Sequence, residues 1–157
     1  MNAFRSKPLK YPWPPLLYGL AILAALVLER IASLPVPQFQ STVAWITGAS
    51  LTIAAIWLNV WAIKTLLESR APAMRRRSAR HLVTRGPFRY TRNPIYLGYT
   101  LMTASFGLLT GNPWFLVTAI IAATITTSVA IKREEIVLLS RFGCDFESYC
   151  KHTRRWI

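Results

Sequence analysis

Apolar residues run along this chain in long blocks, not at the three-to-four-residue spacing of a helix that is wet on one side. The first block, Pro14 to Leu34, carries no charge before Glu29 and Arg30. At about 1.5 Å per residue it is long enough to cross a hydrocarbon layer of roughly 30 Å. Val43 to Leu67 forms a second block, broken only near its end by Lys64, whose ammonium can reach the interface on its own stem. Ile95 to Ile131 is too long for one crossing, and Gly111-Asn112-Pro113 in its middle is a strong turn signal. The pattern predicts an all-α polytopic membrane helix bundle in one domain, residues 1–157, with about four transmembrane helices near 14–34, 43–67, 95–111 and 113–131. A loop over 68–94 and a C-terminal segment over 132–157 complete it. A cleaved signal peptide competes for the first block, but a Tyr11-Pro12-Trp13-Pro14-Pro15 stretch precedes the block and no small-x-small site follows it.

Composition supports lipid as the solvent: 53% of the residues are apolar and only 16% charged. The net charge of +13 would point to nucleic acid if the basic residues striped a soluble fold. They sit between the apolar blocks instead, so membrane lipids with anionic headgroups are the expected partners and nucleic acid is not. Arg5, Lys7 and Lys10 precede the first block, a run from Arg70 to Arg92 separates the second from the third, and Lys132 to Arg155 follow the last. Arg30 is the only basic candidate on the other side. The positive-inside rule then puts both termini and the 68–94 loop in the cytoplasm, with a bacterial inner membrane as the expected setting. Cys144 and Cys150 lack the spacing and the histidine partners of a metal or redox motif, so no metal and two free thiols are expected.

Two segments on that side carry more polarity than a membrane anchor needs. In the first, His81 to Gly98, Gly86-Pro87 forces a turn, and Asn93-Pro94 reads as the N-cap and first residue of the third helix. The free amides of that helix start, beside Arg89 and Arg92, make a place for a carboxylate. In the second, Glu134-Glu135 is an adjacent acidic pair in a chain with only six acids. Ile136, Leu139 and Phe142 then recur on one side of an amphipathic helix that Gly143 breaks, and this segment can fold back over the loop before the third helix. Plainer readings stand beside these: topology signalling for Arg75-Arg76-Arg77, an interfacial aromatic for Tyr96, and a structural ion pair for the glutamates.

Together, Gly86-Pro87-Phe88-Arg89-Tyr90, Arg92-Asn93-Pro94-Ile95-Tyr96-Leu97-Gly98, Glu134-Glu135, Leu138, Phe142-Gly143, Tyr149 and Arg155-Trp156 resemble the isoprenylcysteine carboxyl methyltransferase and phospholipid methyltransferase superfamily of membrane enzymes. The resemblance covers roughly the C-terminal half of the chain. It implies S-adenosylmethionine as cofactor, with Arg92, Asn93, Pro94, Tyr96 and Gly98 matching a first cofactor motif, Arg89 and Leu97 beside them, and Glu134-Glu135 matching a second. Arg92, Glu135 and Arg155 are the catalytic candidates: the resemblance implies that Arg155 closes the site, while general chemistry suits an arginine such as Arg92 to holding a carboxylate and Glu135 to accepting a proton if the acceptor is an amine. The chain departs from the pattern in carrying Asn93 where the prenyl-protein enzymes usually carry histidine. Its second helix has Gly48 alone, without a glycine-x-glycine signature.

The leading expectation is a methyltransferase for a lipidic or isoprenoid acceptor, isoprenylcysteine carboxyl methyltransferase-like, working at the cytoplasmic face. The alternatives are a phospholipid amine N-methyltransferase, a membrane reductase using NADPH, and a non-enzymatic basic scaffold that gathers anionic lipid. Gly107 to Gly111 has small-residue spacing but abuts the predicted turn, so it reads as hairpin packing and leaves the oligomeric state open.

Overall fold

A computed structural model describes residues 13–75 and 82–157. The helices are α1 (Trp13–Ile31), α2 (Thr42–Arg75), α3 (Pro94–Thr110), α4 (Trp114–Ile125), α5 (Lys132–Phe142) and α6 (Cys144–His152). Short 3-10 turns occupy Pro37–Gln40 and Gly86–Arg89, and no strand occurs among the described residues. Arg5, Lys7, Lys10, Arg76, Arg77 and His81 lie outside the described residues.

Three helices are long and apolar enough to cross a membrane: Trp13–Ile31, Thr42–Ser69 and Trp114–Phe142. α3, with 17 residues, reaches about 26 Å, which is compatible with the fourth expected crossing. It lies in the middle of the bundle, packed on α2 and α4, while α1 packs chiefly on α4.

Two elements run further than the apolar blocks indicated. The second helix continues to Arg75, so residues 68–75 are helix and not loop. Leu66, Leu67, Glu68, Ala71 and Ala73 are good helix formers, and an exposed Lys64–Glu68 pair one turn apart (3.9 Å) supports the extension. The last long helix does not end at Ile131 either. Thr126–Ile131 is π-helical, and through it α4 runs on into α5, making a single rod from Trp114 to Phe142. No glycine or proline interrupts residues 114–142; the break comes at Gly143, whose φ of +52° suits a residue without a side chain.

Inside and outside are exchanged relative to a soluble bundle. Leu23, Ile53 and Ile120 are 59%, 69% and 68% exposed, whereas Ala25, Ala55, Ala62 and Ser105 are fully buried. Lipid tails solvate leucine as well as another leucine does, so burying large side chains brings no gain, and small residues that let backbones approach closely fill the seams. Hydroxyls at those seams satisfy themselves locally or across helices: Thr52 Oγ1 donates to Ser105 Oγ at 2.9 Å, and the Tyr18 hydroxyl pairs with Thr100 Oγ1 at 2.6 Å.

The expected turn after the third helix is present and anchored. Gly111 takes the left-handed C-cap conformation (φ +73°). The buried Asn112 accepts from the Trp114 amide through Oδ1 (2.9 Å) and donates through Nδ2 to the Ala25 carbonyl (3.2 Å). Trp114 Nε1 donates to the Ala32 carbonyl at 2.7 Å, so the hairpin is fastened to the end of α1. Gly107 faces the Asn112 carbonyl and Phe115 within this hairpin, in line with its reading as hairpin packing.

α2 and α3 pack tightly at Gly48, where a Cβ would stand 2.9 Å from Leu108 Cβ and 3.2 Å from the Leu109 amide nitrogen. Backbone on the facing helix cannot step aside as a flexible side chain can. Gly48→Ala is expected to destabilise the detergent-solubilised protein by about 1–3 kcal/mol, and Gly48→Leu to prevent the two helices from docking. Thermal unfolding followed by circular dichroism checks this; an unchanged midpoint for Gly48→Leu would mean that the helices do not approach this closely.

Candidate active site

Glu135, at the start of α5, stands between two guanidinium groups. Arg155 grips it in a two-pronged pair, Nε to Oε1 at 2.9 Å and Nη2 to Oε2 at 2.8 Å, and Arg92 Nη1 lies 3.0 Å from Oε1. The Arg92 and Glu135 side chains are only 15% and 17% exposed, while Arg155 is 43% exposed. Two cations around one anion leave one uncompensated positive charge at a largely covered place, beside the Sγ of Cys150, 2.7 Å from Arg92 Nη1. Arg92 Nε is buried and has no hydrogen-bond partner. The adjacent carboxylate raises the Arg155 pKa further above its ordinary value, so Arg155 stays charged throughout the working range.

Backbone contacts bring Arg155 there. After α6, residues 153–156 lie as an extended strap along the segment that leads into α3. Thr91 and Arg154 form a single parallel bridge, with the Arg92 amide donating to the Arg154 carbonyl at 2.9 Å. The Arg155 carbonyl accepts from Thr91 Oγ1 and from Asn93 Nδ2, each at 3.0 Å. Thr153 Oγ1 donates to the Arg89 carbonyl (3.3 Å), the Tyr149 hydroxyl to the Phe88 carbonyl (2.5 Å), and Trp156 Nε1 to Thr127 Oγ1 in the π-helical turn (3.2 Å). Burial pushes the Tyr149 hydroxyl up to about 12, so the group stays protonated and keeps donating across the physiological range.

The two adjacent glutamates diverge. Glu134 does not join the arginines; the Tyr96 hydroxyl on α3 donates to its Oε1 at 2.5 Å. The pair therefore ties the long helix to α3 on one side and to the strap on the other. Pro94 is buried at the first position of α3, as its missing amide hydrogen allows, and Asn93 holds the N-cap place. Its side chain does not cap the helix, however: Nδ2 is committed to the Arg155 carbonyl, and Thr91 Oγ1 accepts from the Asn93 amide (3.2 Å). Gly98 makes room for Asn59 of α2, whose amide group occupies the space a Cβ would take. Leu97, like Tyr96, is half-buried on α3, and the Leu97 amide donates to the Asn93 carbonyl in the first helical turn.

Arg89 is the sequence candidate that these contacts leave apart. Its side chain lines an open cleft of about 320 Å³ with Thr84, Asp145, Ser148, Tyr149, His152 and Thr153. None of Arg92, Asn93, Tyr96, Glu134, Glu135 or Arg155 lines that cleft, so it is separate from the ion cluster.

Sequence reading missed Thr91, Thr153, Asn59 and Thr127. Thr91, between Tyr90 and Arg92, has no periodicity to mark it; its role exists only once the strap arrives. Asn59 did carry a usable signal, as an amide side chain inside an apolar block, where an unpartnered polar group is costly.

The ion cluster yields a stability ordering. Glu135→Gln leaves Arg92 charged, mostly covered and without its counter-ion, and is expected to cost about 1–3 kcal/mol. Arg155→Gln removes the half-exposed partner while Arg92 still pairs, and is expected to cost less, about 0.5–1 kcal/mol. Thermal midpoints of the purified variants check the order; equal losses would mean that the strap and not the cluster sets stability.

The sequence profile described as phospholipid methyltransferase matches residues 43–145, about two thirds of the chain. The matched region takes in α2, the segment before α3, Arg92 to Gly98 and Glu134-Glu135; α1 and the strap lie outside it. No curated protein and no solved structure matches the chain. With helices apolar enough to span a membrane around a match of this extent, the chain belongs to the phospholipid methyltransferase family, within the superfamily of integral membrane methyltransferases that includes the isoprenylcysteine carboxyl methyltransferases.

Proposed function

We propose that this protein transfers the methyl group of S-adenosylmethionine to a lipidic acceptor at the cytoplasmic face of a membrane. The observation that carries the proposal is the family match, which takes in the whole of the first polar segment identified in the sequence and the second as far as Asp145. The residues fit such a cofactor. Arg92 has a buried, unpartnered Nε beside a cluster with one excess positive charge, which suits the cofactor's methionine carboxylate. In this reading Asn93, Pro94, Tyr96 and Leu97 form the α3 wall of the site, with Gly98 seating Asn59 of α2 behind it, and Glu134 and Glu135 form the facing wall. Arg89 would act only from the outer rim.

When bound, the cofactor supplies an electrophilic methyl group on a sulfonium, and such a reaction needs in-line approach and exclusion of water more than it needs elaborate acid–base chemistry. Arg92 and Arg155 hold the anionic end. The strap, fixed at Thr91, Asn93 and Thr127, shuts out water from one side. The short α3 and the exposed apolar faces around it let an acceptor with lipid tails approach from the bilayer with its reactive group at the level of Glu134 and Glu135. The basic residues at this end, Arg85, Arg89, Arg92, Lys132, Arg133 and Arg141 among them, against Arg30 at the other, orient it to the cytoplasm. Residues 1–157 act as one domain in this reading, with α1 packed on α4 although it lies outside the matched region.

Isothermal titration of S-adenosylhomocysteine into detergent-purified protein tests the proposal. Saturable binding is expected in the wild type, weakened about 10- to 100-fold in Arg92→Ala, the loss that follows from removing a charge-assisted contact of about 1.5–3 kcal/mol. Absence of binding by folded wild-type protein, with binding of NADPH in its place, would replace the methyltransferase by the reductase.

A further inference from the structure

We infer that the open cleft between the Gly86–Arg89 turn and α6 is a binding site for the headgroup of an anionic phospholipid, apart from the proposed methyl-transfer site. The inference goes beyond the methyltransferase reading and does not depend on it. Two contacts set the walls of this cleft. The Thr153 hydroxyl donates to the Arg89 carbonyl (3.3 Å) and the Tyr149 hydroxyl to the Phe88 carbonyl (2.5 Å), so the turn and the end of α6 stand face to face around about 320 Å³. That volume is in the range of small-molecule sites and admits a phosphodiester with a small polar headgroup.

The side chains around it suit a phosphate. Arg89 brings a guanidinium, Thr84 and Ser148 bring hydroxyls, and all three are exposed. The His152 ring lies with Nδ1 2.8 Å from the Ser148 carbonyl, which leaves Nε2 for another partner. Asp145 lines the same cleft, yet no ion pair joins it to Arg89 among the described residues. A cation and a carboxylate that share a cleft without pairing can serve two parts of one ligand: the guanidinium takes the phosphate, and the carboxylate accepts from headgroup hydroxyls such as those of a glycerol. Among the residues next to these in the chain, Arg85, Lys151 and Arg154 outnumber Glu147, so the local field favours a ligand of net negative charge.

The neighbouring surface makes that ligand a lipid and not a soluble anion. The turn is seated on α2, where a Cβ on Gly86 would stand 2.6 Å from Thr65 Oγ1 and 3.3 Å from Trp61 Nε1. Thr65 and Trp61 belong to the last part of the apolar span Thr42–Ser69, so Arg89 stands at the level where hydrocarbon gives way to headgroups. Tyr90, the next residue, packs its ring on Trp61 (centroids 6.4 Å apart), and Trp61 packs on Trp57 (4.8 Å). Trp57 and Tyr90 are both exposed. This aromatic column climbs the outer face of α2 and ends beside an arginine, which fits an acyl chain along the rings and a phosphate above them. A free phosphate would have no use for the column.

Titration of a short-chain phosphatidylglycerol into the full-length, detergent-purified protein, read by native mass spectrometry, tests the inference. Saturable binding is expected, with short-chain phosphatidylcholine about 10-fold weaker or worse. Arg89→Gln is expected to weaken phosphatidylglycerol by about 10-fold or more, as the loss of one charge-assisted contact implies. Arg133→Gln removes an equal charge from an exposed place on α5 and is expected to change binding by about 2-fold at most. Equal losses in the two variants, or equal binding of the two lipids, would mean that the lipid follows the overall charge or apolar surface, and overturns the inference. Displacement of the lipid by an equal concentration of inorganic phosphate makes the cleft a site for a soluble anion and also overturns it. A second measurement needs no variant. Phosphatidylglycerol carrying a photoreactive group on its headgroup is expected to cross-link wild-type protein within residues 84–90 and 145–153; cross-links confined to other segments overturn the inference.

Discussion

One carboxylate shared by two arginines holds this molecule's polar end together. Glu135 belongs to the rod formed by α4 and α5, Arg92 to the segment entering α3, and Arg155 to the strap that follows α6, so a single ion cluster joins three parts of the chain that are far apart in sequence. Each part has weak reasons of its own to be where it is. α5 buries none of its residues, and the strap has no helix or sheet to belong to. Isolated surface ion pairs contribute little, but here two of the three side chains are mostly covered, and the hydrogen bonds of Thr91, Asn93 and Trp156 restrict the geometry around them.

The bundle was legible in the sequence because length is a strong signal in a membrane. A run such as Val43 to Leu67 has few other fates, and Gly111-Asn112-Pro113 could hardly be anything but a turn. What hydropathy does not report is where a helix stops once it leaves the lipid. Ordinary propensity takes over there, which carries α2 to Arg75 and α4 through the π-helical turn into α5. The site was legible in part for a similar reason. Arginines and paired glutamates stand out against an apolar background, but the threonines and carbonyls that fix them do not. Asn93 shows the difference: the N-cap position could be read from Asn-Pro, whereas the side chain's commitment to the Arg155 carbonyl depends on a segment more than sixty residues later.

The small-residue seams and the polar end serve different ends. Between α2 and α3, Gly48 lets the helices approach near the end of α3, at Leu108 and Leu109, while Gly98, early in α3, seats the Asn59 side chain. The exposed leucines and isoleucines around it make no such demand on geometry; they need only be apolar. Precision is concentrated along the inner seams and at one end, and the outer surface is free to vary.

The π-helical turn at Thr126–Ile131 gives the acidic pair a dependence on chain length as well as on chemistry. A helix that gains one residue without gaining a turn rotates everything beyond it by about 100° relative to an unbroken α-helix. The bearings of Glu134 toward Tyr96 and of Glu135 toward the arginines are set by that extra residue. The removal of any single residue from this segment would swing both carboxylates away from their partners at once. The register of the rod thus matters to this end of the molecule alongside the chemistry of its side chains.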